Sequence, residues 1–135
     1  MPPMMRFVIA LAAMLAGIPA TAETPMNAAE FEGYTTGKTL TYSEGGVAYG
    51  IEEYFPNRRV RWSFLDGQCQ EGIWYPVGDL ICFDYEEIET PQCWQFFERP
   101  GGLEAVFGAD PSTTALYETQ DSPEPMLCLG PEVGV

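Results

Sequence analysis

The chain contains no histidine, and its six basic residues face twenty acidic ones, for a net charge of −14. Without histidine, Ser-His-Asp and Cys-His nucleophile arrangements are excluded, and so is a zinc site of paired Cys and His. The cysteines include no C-x-x-C pair, and there is neither a G-x-S-x-G elbow nor a phosphate-binding glycine loop. No calcium-loop order of acids around a pivotal glycine is present. So acidic a chain repels nucleic acid and anionic lipid at long range. No apolar run is long enough to span a bilayer. The longest, Phe7 to Ile18, is roughly 12 residues against the 20 or so that a spanning helix needs.

That short run reads as part of an export signal. Arg6 supplies a positive start, Pro19 breaks the apolar stretch, and Ala20-Thr21-Ala22 gives a small-x-small cleavage pattern before Glu23. Residues 1–22 are therefore expected to be removed, leaving 23–135 as one periplasmic or secreted domain with no stable membrane anchor. The four cysteines, Cys69, Cys82, Cys93 and Cys128, all lie in that part. An even count in a short exported chain implies disulfides.

Within 23–135, residues 23–37 form a lead-in. Asn27 with Glu30 three residues on is the pattern of a capped helical turn, and Gly33 and Gly37 end it. From Lys38 the apolar pattern takes the period of two that marks half-buried strands. Strands are expected at Lys38–Ser43, Val47–Phe55, Arg59–Leu65, Cys69–Tyr75, Asp79–Glu86 and Gln92–Glu98. Two less distinct ones follow at Leu103–Phe107 and Thr113–Thr119. Gly and Pro turns separate them, among them Glu44-Gly45-Gly46, Asp66-Gly67 and Pro76-Val77-Gly78. The tail, 121–135, carries three prolines and is expected to be irregular. Such spacing describes an all-β domain: a small antiparallel meander barrel, or a barrel-like sandwich, of six to eight strands with two disulfides. Closure into a barrel is favoured because it removes exposed edges.

Four cysteines permit three pairings. If the hairpin spanning residues 79–98 turns between Glu87 and Ile88, Cys82 lies opposite Cys93. Ile81 and Phe83 then share a face with Trp94 and Phe96, as a consistent register requires. Cys69 is left to pair with Cys128, closing a loop of nearly 60 residues worth roughly 3–4 kcal/mol in loop entropy.

The candidate binding residues are few. Glu53 interrupts an otherwise apolar face formed by Val47, Tyr49, Ile51 and Phe55, where burial would raise its pKa. Pairing with Arg59 or Arg61 across the next hairpin is the competing role. Arg59 and Arg61, with Arg58, could grip an anion bidentately or simply offset acidic neighbours. Asp84 and Glu86, with Glu87 and Glu89, make an acidic hairpin suited to a cation or to plain solvation. Trp62 and Trp74 could line a pocket or fill the barrel. No catalytic residue, metal ligand or cofactor site is assigned.

Gly72-Ile73-Trp74, Ile81-Cys82-Phe83-Asp84-Tyr85-Glu86 and Gln92-Cys93-Trp94 resemble a G-x-W…C-F…Y…C-W core of small exported bacterial proteins, mostly of unknown function. Thr36-Gly37-Lys38-Thr39-Leu40 is similar to their opening strand. The resemblance spans 36–97, implies a periplasmic barrel-like domain and carries over no catalytic residue. The expected function is binding rather than catalysis, with a basic envelope protein as partner. The alternatives are a small-molecule carrier with an aromatic-lined pocket and, last, a carboxylate-only hydrolase.

Overall fold

The structure is a computed structural model that describes residues 2, 3, 17 and 23–128. The export signal expected over 1–22 falls almost entirely outside the described residues, as does the tail from 129. One helix, α1 (Ala28–Thr35), precedes eight strands: β1 (Thr39–Glu44), β2 (Val47–Tyr54), β3 (Arg59–Ser63), β4 (Gln70–Val77), β5 (Leu80–Tyr85), β6 (Gln92–Arg99), β7 (Gly102–Phe107) and β8 (Leu116–Ser122). Each strand pairs antiparallel with the next, and β8 returns to β1, so the sheet is a closed eight-stranded meander barrel.

The period-two pattern sets the inner face. Leu40 and Tyr42, Glu52 and Tyr54, Val60 and Trp62, Ile81 and Phe83, Leu103 and Ala105, and Leu116 and Glu118 are all buried. Two irregularities flank Tyr42. On one side Tyr42 opposes Gly50 while Ser43 opposes Ala48, leaving Tyr49 as an extra residue. On the other, Thr119 is the extra residue against β1. Such bulges increase local twist and help a sheet to close. The wide ring of Trp62 fits because Gly50 lies beneath it; a methyl group there would overlap the indole.

The lead-in closes one end of the barrel. Asn27 and Glu30 make a reciprocal capping box at the start of α1. The helix continues through Gly33 to Thr35 and drives Phe31 into the barrel, where it is 0% exposed. Phe31 packs edge-on against Tyr54 and Trp74, at 5.7 and 5.1 Å between ring centres, and lies 4.5 Å from Phe96. Polar contacts fix the helix on the rim. The Arg58 Nε donates to Glu32 Oε1 at 3.0 Å, and its guanidinium lies 4.6 Å from the centre of the Trp74 ring. The Met26 N–H donates to the Phe96 carbonyl at 2.7 Å, beyond the last β5–β6 pair.

Both disulfides form as expected, Cys82–Cys93 and Cys69–Cys128. Cys82 stands directly opposite Cys93, and Ile81 opposite Trp94. After β8, which extends past Gln120 to Ser122, the tail crosses the outside of the barrel. Thr39 Oγ1 donates to the Glu124 carbonyl, and the Met126 N–H donates to Glu53. Cys128 then anchors it to Cys69 in the loop before β4. Two disulfides favour an oxidising location outside the cytoplasm. Among the described residues no helix is long and apolar enough to cross a membrane.

Candidate functional site

The barrel is not filled to its open end. Opposite α1, between the β1–β2, β3–β4, β5–β6 and β7–β8 connections, a cavity of about 200 Å³ enters the interior. Its mouth is aromatic. Tyr49, Trp62 and Phe64 form a mutually packed trio, with ring centres 5.3–6.0 Å apart, and Tyr49 and Phe64 remain exposed. Trp94 meets Phe107 edge-on at 5.0 Å nearby. Deeper, the walls are Phe83, Phe96, Ala105 and Leu116, and the polar groups are carried by Tyr42, Glu52, Tyr54 and Tyr85.

Glu52 is the unusual member. It is 1% exposed and sits on the inner face between Leu40 of β1 and Trp62 of β3. The Tyr85 hydroxyl donates to its Oε1 at 2.8 Å, whereas Oε2 is buried with no hydrogen-bond partner. Burial pushes this carboxyl well above the ordinary glutamate value of 4.5, and the Tyr85 hydrogen bond pulls it part of the way back. The hydroxyls of Tyr42 and Tyr54 bond to each other at 2.8 Å, and burial pushes both phenols, and that of Tyr85, up. These tyrosines therefore stay neutral, and none has a positive neighbour lining the cavity, since among the described residues no lysine or arginine does so.

The expected site residues are distributed differently. Glu53 does not enter the barrel. It lies on the outer face, directly opposite Arg61, whose Nη1 is 4.0 Å from its Oε1, and it accepts the Met126 N–H at 3.0 Å. Its burial comes from the tail lying across it. Arg59, Arg61, Asp84 and Glu86 do come together, but in a more open depression of about 650 Å³ on the outside of β3, β4 and β5. Arg61 is held there by Glu71, its Nε donating at 2.6 Å. Trp62 lines the cavity, while Trp74 belongs to the packed end under α1. Among the described residues no three His, Cys, Asp or Glu side chains converge as a metal site would require.

Glu52 was missed because the alternation from Val47 was extended across the bulge, to the other face of the strand. Its signal in the sequence is the carboxyl neighbouring Glu53 at the opposite parity, aligned with Gly50 and Tyr54. As the one carboxyl lining the cavity among the described residues, Glu52 has no second acid beside it for paired acid–base work.

Another buried carboxyl, Glu118, belongs to the closed end. Its Oε2 accepts from the Tyr34 hydroxyl at 2.6 Å and the Leu103 N–H at 2.9 Å, so it fastens α1 to β7 and β8. Comparison of the chain with protein-family models, with curated proteins and with solved structures finds no match in any of the three.

Proposed function

We propose that the protein is an exported carrier or sensor that takes one compact, largely apolar molecule into its barrel. The observation that carries this reading is the aromatic-walled cavity lined by Glu52, a buried carboxyl with one oxygen lacking a hydrogen-bond partner. An eight-stranded barrel is wide enough either to be filled by its own side chains or to hold one small ligand. Here the half next to α1 is filled and the other half is not. A buried carboxyl oxygen without a partner costs free energy. A ligand that supplies the partner recovers that cost on binding. Ligand sites of this kind combine apolar walls with one or two placed polar groups.

Tryptophan fluorescence tests this directly, since Trp62 and Trp94 line the cavity. A panel of small aromatic and aliphatic compounds should include members that change the emission saturably at one molecule per chain. Ala105→Phe, which fills the cavity from β7, should abolish the change while both disulfides still form. Saturable changes that survive this substitution would place binding elsewhere and overturn the reading.

The compartment is the periplasm or the exterior of a bacterial cell. The charged start, short apolar run and cleavage pattern of 1–22 support this, as do the two disulfides. A mature N-terminus at Glu23 is the expected result of mass spectrometry on the exported protein. The net charge of −14 supports a second reading, capture of a basic envelope protein. Three of the arginines, Arg58, Arg61 and Arg99, are engaged by carboxylates on the same molecule. A pull-down from envelope extract should then retain one basic protein at low salt and release it at high salt.

A further inference from the structure

We infer that the ligand of the cavity is an amine: a cationic nitrogen paired with the Glu52 carboxylate, with an apolar body packed against the aromatic walls. This rests on the reading of the barrel as a small-molecule binder and specifies what that molecule is. Three observations converge on it. Among the described residues lining the cavity, Glu52 alone carries a buried polar atom without a partner, its carboxyl Oε2. The surrounding side chains include the aromatic rings of Tyr42, Trp62, Phe83 and Tyr85, whose faces attract a desolvated cation. Among the described residues no lysine or arginine lines the cavity to receive an anion, and the whole chain, at −14, draws cations towards it.

The hydrogen bonding already present narrows the choice further. Tyr42 and Tyr54 satisfy each other, and Tyr85 donates to Oε1. Tyr85 therefore favours a charged carboxylate once a cation arrives. Before that, burial favours the protonated form of Glu52. Binding is thus an exchange. The amine enters as its ammonium form, the Glu52 proton leaves to solvent, and the ion pair replaces the neutral acid. The titratable groups facing Glu52 are Tyr42 of β1, Tyr54 of β2 and Tyr85 of β5, with Glu118 of β8 beyond Tyr42. The tyrosines do not ionise in the working range, so the proton comes from Glu52.

The test titrates the disulfide-bonded protein with 2-phenylethylamine, 2-phenylethanol and phenylacetate, three probes that share an apolar body and differ in the polar group. The amine should bind at least tenfold more tightly than the alcohol at pH 8. Its affinity should rise about tenfold per pH unit from pH 5 until Glu52 is ionised in the free protein, while that of the alcohol stays level. Glu52→Gln should bring the amine down to the alcohol's affinity and remove its pH dependence. Tyr85→Phe keeps the carboxyl but removes the hydrogen bond to it, so the rise in amine affinity should move to higher pH. Glu118→Gln should leave the profile where it is.

Equal binding of amine and alcohol, unaffected by Glu52→Gln, would overturn the amine while leaving the carrier intact. Tightest binding of phenylacetate would do the same. Binding of none of the three would overturn both.

Discussion

Glu52 and Glu53 are adjacent in sequence and have opposite fates. Glu53 accepts from a backbone N–H and has an arginine across the ladder; Glu52 has one phenol and a bare oxygen. The difference is one of parity, and the bulge at Tyr49 hides it, because the apolar residues before it no longer mark the inner face after it. The raised pKa of Glu52 has a definite consequence for stability. The folded state holds a proton that the unfolded chain releases near 4.5, so the contribution is fully present below that value. It is lost as pH rises towards the shifted value. Urea unfolding should show the natural protein losing stability between pH 5 and pH 8 relative to Glu52→Gln; parallel profiles would sink the assignment. Gly50 makes a second residue-scale case. Gly50→Ala forces the Trp62 ring to move, and should cost about 1–3 kcal/mol by overpacking while reducing the cavity. A stability unchanged within error would mean that Trp62 is not seated there.

At the scale of elements, most strands were legible because alternation survives wherever no bulge intervenes. β5 and β6 show it best. The same parity that put Ile81 and Trp94 on one face put Cys82 and Cys93 on the other, and the disulfide follows. Boundaries drifted where a turn residue was tolerated inside a strand: Pro76 pairs with Ile81 within β4 rather than ending it. β8 begins at Leu116, three residues later than Thr113, since the Asp110 turn bonds onward to Ser112 and Thr113. The capping box of α1 was legible from Asn27 and Glu30, but its role was not. Nothing local says that Phe31 will fill a barrel end formed by residues 20 to 65 positions away. Phe31→Ala should accordingly cost about 3–5 kcal/mol, the range for emptying an aromatic site in a core. A loss below 1 kcal/mol, read from denaturant midpoints, would show that α1 is dispensable to the barrel.

At the scale of the molecule the two disulfides differ in what they constrain. Cys82–Cys93 closes 11 residues inside one hairpin, and Cys69–Cys128 closes 59 and ties the tail to the outside. Loop-closure entropy gives about 4 kcal/mol for the longer link and about 3 for the shorter. Replacing the longer pair with serines should therefore lower stability more, and should also release the Met126 contact to Glu53, which hydrogen exchange at Met126 would reveal. An equal loss from both replacements would mean that the tail stays docked without its covalent anchor. The ladder between β1 and β8 carries a further meaning. Thr39 stands opposite Ser122, so the sheet is a ring in which no strand is first or last. The order in which the chain visits the strands is a circle cut at one point. Cutting it instead at Gly45-Gly46, with the old ends joined by a flexible linker, should give a permuted protein with the same ladders and the same cavity.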